Sequence, residues 1–456
     1  MIWSAKDLTS ALNIEVHPDI QGRQIQFNSN SVTNGDLFIA LQGNNDGHNY
    51  ALHALQRGAN AVIISKEIKG LSDNKVIMVS DTLTALHHMA EYKRKKSKAR
   101  FIGVTGSIGK TGTKEAIKTI LSYFGPTFAS RGNFNNHLGV PINLASMPDD
   151  IEYAVFEMGM KHSGEIRELT KMVRPNISVI TTIAEAHLEF FESMLSLVDT
   201  KCEIFEGMPK NGIAIVNSDH QYYDRILQHL KQLSINNIYS FGKSEGTDSR
   251  LTSYEHIGQE VRLHYSICNT KIDTKIPFVP EHYARNYTAA LQVAAILNLD
   301  INATITQLSK ISLTEGRGKL VNAKYNDQNY QIICDYYNAN PASVKAALLY
   351  LKQLSGQKKV AILGDMLELE ENSIKFHKDL IPAIIDSGTK RVFLVGNLTK
   401  HIYDSLPNDI EKMHFDNVDL LIENLNELLK GDELLLLKGS NSIQLSKIIQ
   451  SFELLQ

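Results

Sequence analysis

Phe101-Ile102-Gly103-Val104-Thr105-Gly106-Ser107-Ile108-Gly109-Lys110-Thr111-Gly112-Thr113-Lys114-Glu115 is the stretch that decides how this chain folds. Its apolar lead-in, Phe101 to Val104, reads as a buried strand. Gly106 and Gly109 allow a sharp turn and a close approach of backbone to an anion. Lys110 and Thr111 then open a helix, whose N-terminus favours negative charge. In such a strand–loop–helix the lysine reaches the β- and γ-phosphates of a nucleotide and the threonine hydroxyl ligates magnesium. Ser107, Gly112 and Thr113 complete the residues expected to line the triphosphate. The pattern is compressed. Val104 stands where G-x-x-x-x-G-K-[ST] requires glycine, leaving G-x-x-G-K-T. An ordinary Gly-rich turn is the competing reading, and the Lys-Thr pair at the helix start argues against it.

Working outward, strand-like and helical segments alternate from residue 99 to 310. Tyr153–Gly159, Ile177–Ile183 and Gly212–Asn217 fit a mostly parallel sheet with the strand at Phe101. The alternation between Tyr254 and Ile267 predicts antiparallel hairpins, and a helix over 282–298 closes the segment. From residue 311 the alternation restarts, with strands at Tyr330–Asp335, Lys359–Gly364, Arg391–Gly396 and Glu433–Gly439. That restart predicts a second doubly wound α/β domain over 311–456. Residues 1–98 hold short strands and turns and end in the basic run Glu91–Lys98. A solvated helix end before a domain junction accounts for that run better than a nucleic-acid patch.

Composition narrows the class. A chain of 456 residues suggests about three domains, at roughly 150 residues each. A formal charge of −3 gives no reason to expect nucleic acid or a membrane surface as partner. Cys202, Cys268 and Cys334 are widely spaced and form no zinc or redox pattern, which points to a reducing compartment. Met1–Asp7 lacks the layout of a signal peptide, and no apolar run approaches the roughly 20 residues of a spanning helix. The expectation is a cytoplasmic protein without stable membrane insertion.

Four strand ends place polar groups where open α/β sheets bind ligands. Glu157 ends a strand in the sheet of the phosphate loop, a natural position for a metal ligand; an acidic loop cap is the alternative. His187 follows the strand at Ile177, where a lone histidine is more often structural. Lys201 lies at the start of an amphipathic helix, usually a surface position. Asp335 follows an apolar strand; Asn338 and Asn340 suit turns, and Pro341 suits a helix start. This last segment suggests a ribose or adenine contact.

In order, these segments resemble the Mur ligases, ATP-dependent amide-forming enzymes of peptidoglycan synthesis. The likeness covers nearly the whole chain: Gly35–Leu41 with Asp46-Gly47-His48, Gly103–Glu115, Asn133–Pro141, Glu157–Gly159, Ala186–Glu189, Glu315–Arg317, Tyr337–Pro341, Leu363–Leu369 and Lys438–Ser440. The resemblance implies three domains: a uridine-nucleotide module (1–98), a central parallel-sheet P-loop ATPase domain (99–310) and a C-terminal Rossmann-like domain (311–456). It implies ATP and two magnesium ions, with Lys110 and Thr111 on the triphosphate and Thr111, Glu157, His187 and Lys201 around the metals. Lys201 aligns with a lysine that is carbamylated in several Mur ligases. Asn286, Arg317, Asp335 and Asn338 resemble the nucleotide contacts. Ser29, Asp46 and His48 resemble the uridine-nucleotide site, and Asn133, Asn135 and Asn136 would face the muramoyl-peptide.

The Asn-Ala-Asn-Pro and Leu363–Leu369 segments favour the branch that adds D-alanyl-D-alanine to UDP-N-acetylmuramoyl-tripeptide through an acyl phosphate. The expected partners are those two substrates, with no nucleic acid, and the chain is expected to be a monomer. A sister Mur ligase or a folylpolyglutamate synthase-like ligase would share the ATPase chemistry. A nucleotide-binding regulator without ligase activity is the reading from another class; Lys110, Glu157, His187 and Lys201 together speak against it. Four positions depart from the family pattern: Asn30 for a cation, Gly112 for threonine, Tyr283 for asparagine and Asn441 for arginine.

Overall fold

Local chemistry sets where the elements begin and end. The helix Lys110–Phe124 starts where Gly109 turns the backbone into the left-handed region (φ 86°). The helix Ala5–Leu12 is opened by a reciprocal Ser4–Asp7 capping box and stopped by Asn13 at φ 56°. Asn340 and Ser343 form the same box ahead of the helix Pro341–Gln353, with proline in its first turn. The computed structural model describes residues 2–184, 188–258, 260–354 and 358–455.

Three sheets organise these elements. The first is wholly parallel, in the order β1 (Ile25–Gln26), β2 (Leu37–Ile39), β3 (Ala61–Ile64) and β4 (Val76–Met78). Its core joins Trp3, Leu8, Ile39, Ile63 and Leu86 to Ile142.

The second sheet has nine strands: β5 (Arg100–Thr105), β6 (Thr127–Ala129), β7 (Tyr153–Glu157), β8 (Ile177–Ile180), β9 (Ile213–Asn217), β10 (Asn237–Gly242), β11 (Ser249–Ile257), β12 (Glu260–Ile267) and β13 (Thr270–Pro277). They run in the order β13-β12-β11-β10-β9-β8-β5-β7-β6. Pairing is parallel from β6 to β11 and antiparallel across β11, β12 and β13, the hairpins expected around 250–280. The chain leaves β5 toward one side of the sheet and returns on the other, so β5 is flanked by β7 and β8. That reversal is where α/β sheets open a crevice for ligands.

The third sheet holds β14 (Lys319–Tyr325), β15 (Gln328–Asp335), β16 (Lys358–Gly364), β17 (Arg391–Val395), β18 (Glu411–Phe415), β19 (Glu433–Lys438) and β20 (Glu453–Leu455). Their order is β18-β17-β16-β19-β15-β14-β20, parallel except at β14 and β20. Ala361, Leu363, Leu434 and Leu436 pack into one core, while Val360, Ile362, Leu435 and Leu437 pack into another. Strands buried on both faces explain the unbroken apolar runs in the sequence.

The chain divides into two compact units. One comprises Met1–Thr181, Val198–Pro277 and Arg285–Ser309; the other comprises Thr182–Leu197, Phe278–Ala284 and Lys310–Gln456. The basic run is more than a solvated helix end. Lys93 is buried, donates to the Ile2 carbonyl (2.7 Å) and pairs with Asp149 (2.5 Å). Lys96 reaches Asp7 (3.0 Å) and Asp149 (2.9 Å), and Arg94 donates to the carbonyls of Val173 (2.6 Å) and Arg174 (2.9 Å). These cations clamp the helix onto its neighbours. Among the described residues, no helix is long and apolar enough to cross a membrane.

Candidate active site

The ends of β5, β7 and β8 bring the first group of residues together. Gly106 (φ 147°) and Gly109 (φ 86°) bend the loop after β5. A Cβ at Gly109 would stand 2.5 Å from Asn286 Nδ2, so glycine is required there and Asn286 lies against the loop. Thr105 Oγ1 donates to the Met158 carbonyl (2.8 Å), and Thr181 Oγ1 to those of Ile108 (2.6 Å) and Thr105 (3.1 Å). Lys110 Nζ curls over the loop and donates to the Gly106 (2.8 Å) and Ser107 (3.4 Å) carbonyls. The hydroxyls of Ser107 and Thr113 are buried and have no hydrogen-bond partner among the described residues. Buried orphan donors beside a helix N-terminus fit an anion.

Glu157, the last residue of β7, is held from two sides. Its Oε2 accepts from Thr111 Oγ1 (2.8 Å) and its Oε1 from Asn135 Nδ2 (2.8 Å). Its backbone N–H donates to Ser130 Oγ (3.0 Å). Asn135 thus orients this carboxylate. Asn136 Oδ1 accepts from the N–H groups of Leu138 (3.2 Å) and Gly139 (2.9 Å) and starts the helix Gly139–Ala145, while Asn133 is exposed. Thr111 and Glu157 form a hydroxyl–carboxylate pair of the hard-oxygen type that suits magnesium.

Lys201 corrects the surface reading. It lies near the C-terminal end of the helix Met194–Cys202, and it is buried. Among the described residues it makes no hydrogen bond or ion pair. Burial first, then the charge of Lys110, push its ammonium well below the usual lysine range, against the pull of Glu157 and Glu203. Glu203 accepts from the N–H groups of Gly164 (2.7 Å) and Arg167 (3.0 Å), capping the helix Glu165–Val173. His187 lies outside the described residues. Among those described, no cluster of three or more His, Cys, Asp or Glu side chains could hold a metal.

In the C-terminal unit, Asp335 and Lys438 end the neighbouring strands β15 and β19 in register. Lys438 Nζ lies 3.2 Å from Asp335 Oδ2 and donates to the Asn338 carbonyl. Asn338 Oδ1 accepts from the Ala339 N–H (2.9 Å). The Arg317 guanidinium stacks 4.1 Å from the centre of the Tyr337 ring. Tyr283, one of the departures from the family pattern, donates its hydroxyl proton to the Arg317 carbonyl and so buttresses that segment.

Near the N-terminus, Asp46 and His48 form a closed network. His48 Nε2 accepts from the Ser65 N–H (3.0 Å), which fixes the proton on Nδ1, where it faces Asp46 Oδ1 (2.6 Å). Asp46 Oδ2 takes Lys66, and Ser29 Oγ meets His53 Nδ1 (3.0 Å). These side chains shape their own loop. The sequence reading missed Lys114, Ser130, Thr181 and Glu203. Lys114 alone carried a signal: it shares the buried stripe of its helix with Thr113, Ile117, Ile120 and Leu121.

Residues 104–294 match the model of the Mur ligase middle domain, and residues 316–441 that of the Mur ligase glutamate ligase domain. A curated UDP-N-acetylmuramoyl-tripeptide--D-alanyl-D-alanine ligase from Rickettsia prowazekii (strain Madrid E) is 51% identical over 453 residues, covering 99% of this chain and 100% of the relative. The crystal structure of MurF from Acinetobacter baumannii has a TM-score of 0.84 at 28% identity, covering 99% of this chain and 98% of that one. MurF ligase from Thermotoga maritima in complex with ADP has a TM-score of 0.76 at 26% identity, over 95% and 97% of the two chains.

Proposed function

This chain belongs to the Mur ligase family, and on that premise we infer that it joins D-alanyl-D-alanine to UDP-N-acetylmuramoyl-tripeptide at the expense of ATP. The observation that carries this reading is the full-length likeness at 51% identity to a ligase of that name. The Thr111–Glu157 pair beside a phosphate-type loop supports it in chemical terms.

The proposed division is a uridine-nucleotide module over 1–98, a central ATPase domain over 99–310 and a C-terminal domain over 311–456. In the proposed reaction the tripeptide carboxylate attacks the γ-phosphate and ADP leaves, giving an acyl phosphate. The amine of D-alanyl-D-alanine then displaces phosphate to form the amide. Lys110, the orphan hydroxyls of Ser107 and Thr113 and the N-terminus of Lys110–Phe124 are assigned to the triphosphate, with Gly106, Gly109 and Gly112 giving it room. Thr111 and Glu157 would hold magnesium, with His187 and Lys201 as further ligands. Bound there, the metal supplies charge stabilisation to the transferring phosphoryl group. Asn286, Arg317, Asp335 and Asn338 are assigned to the nucleotide. Asn133 is assigned to the muramoyl-peptide, while Asn135 and Asn136 shape that side by holding Glu157 and the following helix. Ser29, Asp46 and His48 shape the loop assigned to the uridine nucleotide.

Burial of Lys201 favours its neutral amine, the form that adds carbon dioxide. The resulting carbamate would turn a misplaced cation into an oxygen ligand. The deciding experiment is ADP release from the purified chain. Release should require UDP-muramoyl-tripeptide and D-alanyl-D-alanine together, with the amide product seen by mass. Turnover with a folate or a single amino acid in their place would reject the assignment.

A further inference from the structure

Lys114 is fully buried one turn beyond the phosphate loop, in the helix that carries Lys110 and Thr111. A buried ammonium is costly unless its donors are used. Those of Lys114 go to the carbonyls of Ser130 (2.7 Å) and Gly132 (3.5 Å), beside Glu115 Oε1 at 3.0 Å. Both carbonyls belong to the segment that follows β6, and that segment grips the end of β7. The Ser130 N–H donates to the Val155 carbonyl (2.9 Å), Ser130 Oγ accepts from the Glu157 N–H (3.0 Å), Asn135 Nδ2 donates to Glu157 Oε1 (2.8 Å), and the Asn135 carbonyl accepts from the Gly159 N–H (2.8 Å). Thr111, from the helix of Lys114, takes the other oxygen of Glu157 (2.8 Å). Helix, segment and strand end form a closed triangle with Glu157 at one corner. Lys114 ties the helix to the segment, the side that Glu157 does not supply.

We propose that Lys114 is a positioning residue of the ligation: it tethers the phosphate-binding helix to segment 130–136 and so sets the presentation of Asn133 to the acceptor. Placing the acceptor at this segment rests on the ligase reading above; the tether itself does not. Lys114 Nζ is engaged by the 130–132 carbonyls and Glu115, and no hydrogen bond among the described residues joins it to the orphan hydroxyls of the loop, so its loss acts on the acceptor side and spares nucleotide binding.

The test compares Lys114→Met with wild type by hydrogen exchange, by calorimetric binding of ADP and by steady-state kinetics. Exchange of the Glu157 and Gly159 amides, which donate to the tethered segment, should quicken about tenfold or more. The KM for UDP-muramoyl-tripeptide should rise about tenfold, while ADP affinity stays within about twofold. Lys114→Arg, which retains a cation able to reach the carbonyls, should restore most of both effects. If Lys114→Met does not fold, Lys114→Arg is set against Ser130→Ala, which keeps the carbonyl and removes only the hydroxyl under Glu157. Ser130→Ala should then quicken exchange and raise that KM while Lys114→Arg stays near wild type. Unchanged exchange and KM in Lys114→Met, or in Ser130→Ala where it stands in for that variant, or ADP affinity falling in step with the KM, would overturn the proposal. A wild-type chain inactive with these substrates would instead reject the ligase reading, and exchange alone would then decide the tether.

Discussion

The polar groups at the ends of the nine-stranded and seven-stranded sheets are finished differently. Among the described residues around the phosphate loop, the hydroxyls of Ser107 and Thr113 have no partner and Lys201 is buried without an ion pair. In the C-terminal unit the comparable groups are matched. Lys438 has Asp335 and Asn338; Asp365 accepts from the N–H groups of Leu398 (3.1 Å) and Thr399 (2.8 Å); His377 lies between Met366 and Ser373. Buried polar groups are normally satisfied, so a cluster that is not marks where something else completes the bonding. The first region leaves polar groups open for a ligand, whereas the second closes its own groups on one another. Substitutions in the first should cost activity with little stability, and in the second they should cost stability as well.

The largest effect is expected at Lys110. On the proposed assignment Lys110→Ala removes the cation nearest the transferring phosphoryl group, and it should lower turnover by about three orders of magnitude. The same variant should unfold within about 0.5 kcal/mol of wild type, because the hydrogen bonds given up to the carbonyls of its own loop are local ones. Turnover within a few-fold of wild type would place Lys110 away from the reacting phosphates. Lys201→Ala comes next, with a loss of about a hundredfold or more and partial rescue by short carboxylic acids in the vacated space. A carbon-13 signal from labelled bicarbonate in the active enzyme tests the carbamate directly. Full activity of Lys201→Ala would move this residue to the structural class.

How much of this was legible in the sequence depended on whether a contact is local. The phosphate loop, the strands β5, β7, β8, β9, β15, β16, β17 and β19 and the hairpins near 250–280 follow from runs and turns a few residues long, whereas β6, β10, β14, β18 and β20 carried no such signal. Glu157 was found because a strand end is recognisable. Its partners Ser130 and Asn135 lie 27 and 22 residues away, and no periodicity joins them. For Lys201 the residues alone favoured a surface, because a lysine in an amphipathic helix usually is exposed, and only the family resemblance pointed to the metals; its burial comes from tertiary packing. The basic run at Glu91–Lys98 failed similarly, since Asp149 and the carbonyls it meets come from distant elements. The Asp46–His48 pair was legible as a motif, but its inward wiring through Ser65 was not.

Replacing Lys438 and Lys201 with methionine sharpens the contrast, because only the first should destabilise the fold. Lys438→Met leaves Asp335 without its ion-pair partner and should cost about 3 kcal/mol of unfolding free energy. Lys201→Met removes a buried amine that has no ion pair among the described residues and should leave stability unchanged or raise it by about 1 kcal/mol. Urea unfolding of the two variants beside wild type measures both. Equal destabilisation would erase the distinction between the regions.

The smallest effect is a pH dependence confined to the second region. His377 is buried, and its Nε2 accepts from the Met366 N–H (3.0 Å) while Nδ1 faces the Ser373 carbonyl (2.6 Å). A backbone N–H can only donate, so Nε2 carries no proton and the ring is neutral. Burial, the dominant cause, holds its pKa below the ordinary 6.5 against the pull of the Ser373 carbonyl and Asp365. Well above pH 6.5 the ring is neutral in both folded and unfolded chains, and its contribution to stability is complete. As pH falls through that value the unfolded chain takes up a proton that the folded chain refuses. Stability is therefore lost, at up to about 1.4 kcal/mol per pH unit, until the folded value is reached. His377→Gln should be less stable than wild type near about pH 7.5, yet lose less on going to about pH 5.5. A variant whose urea midpoint falls as steeply as that of wild type over this range would show that His377 is not the group responsible.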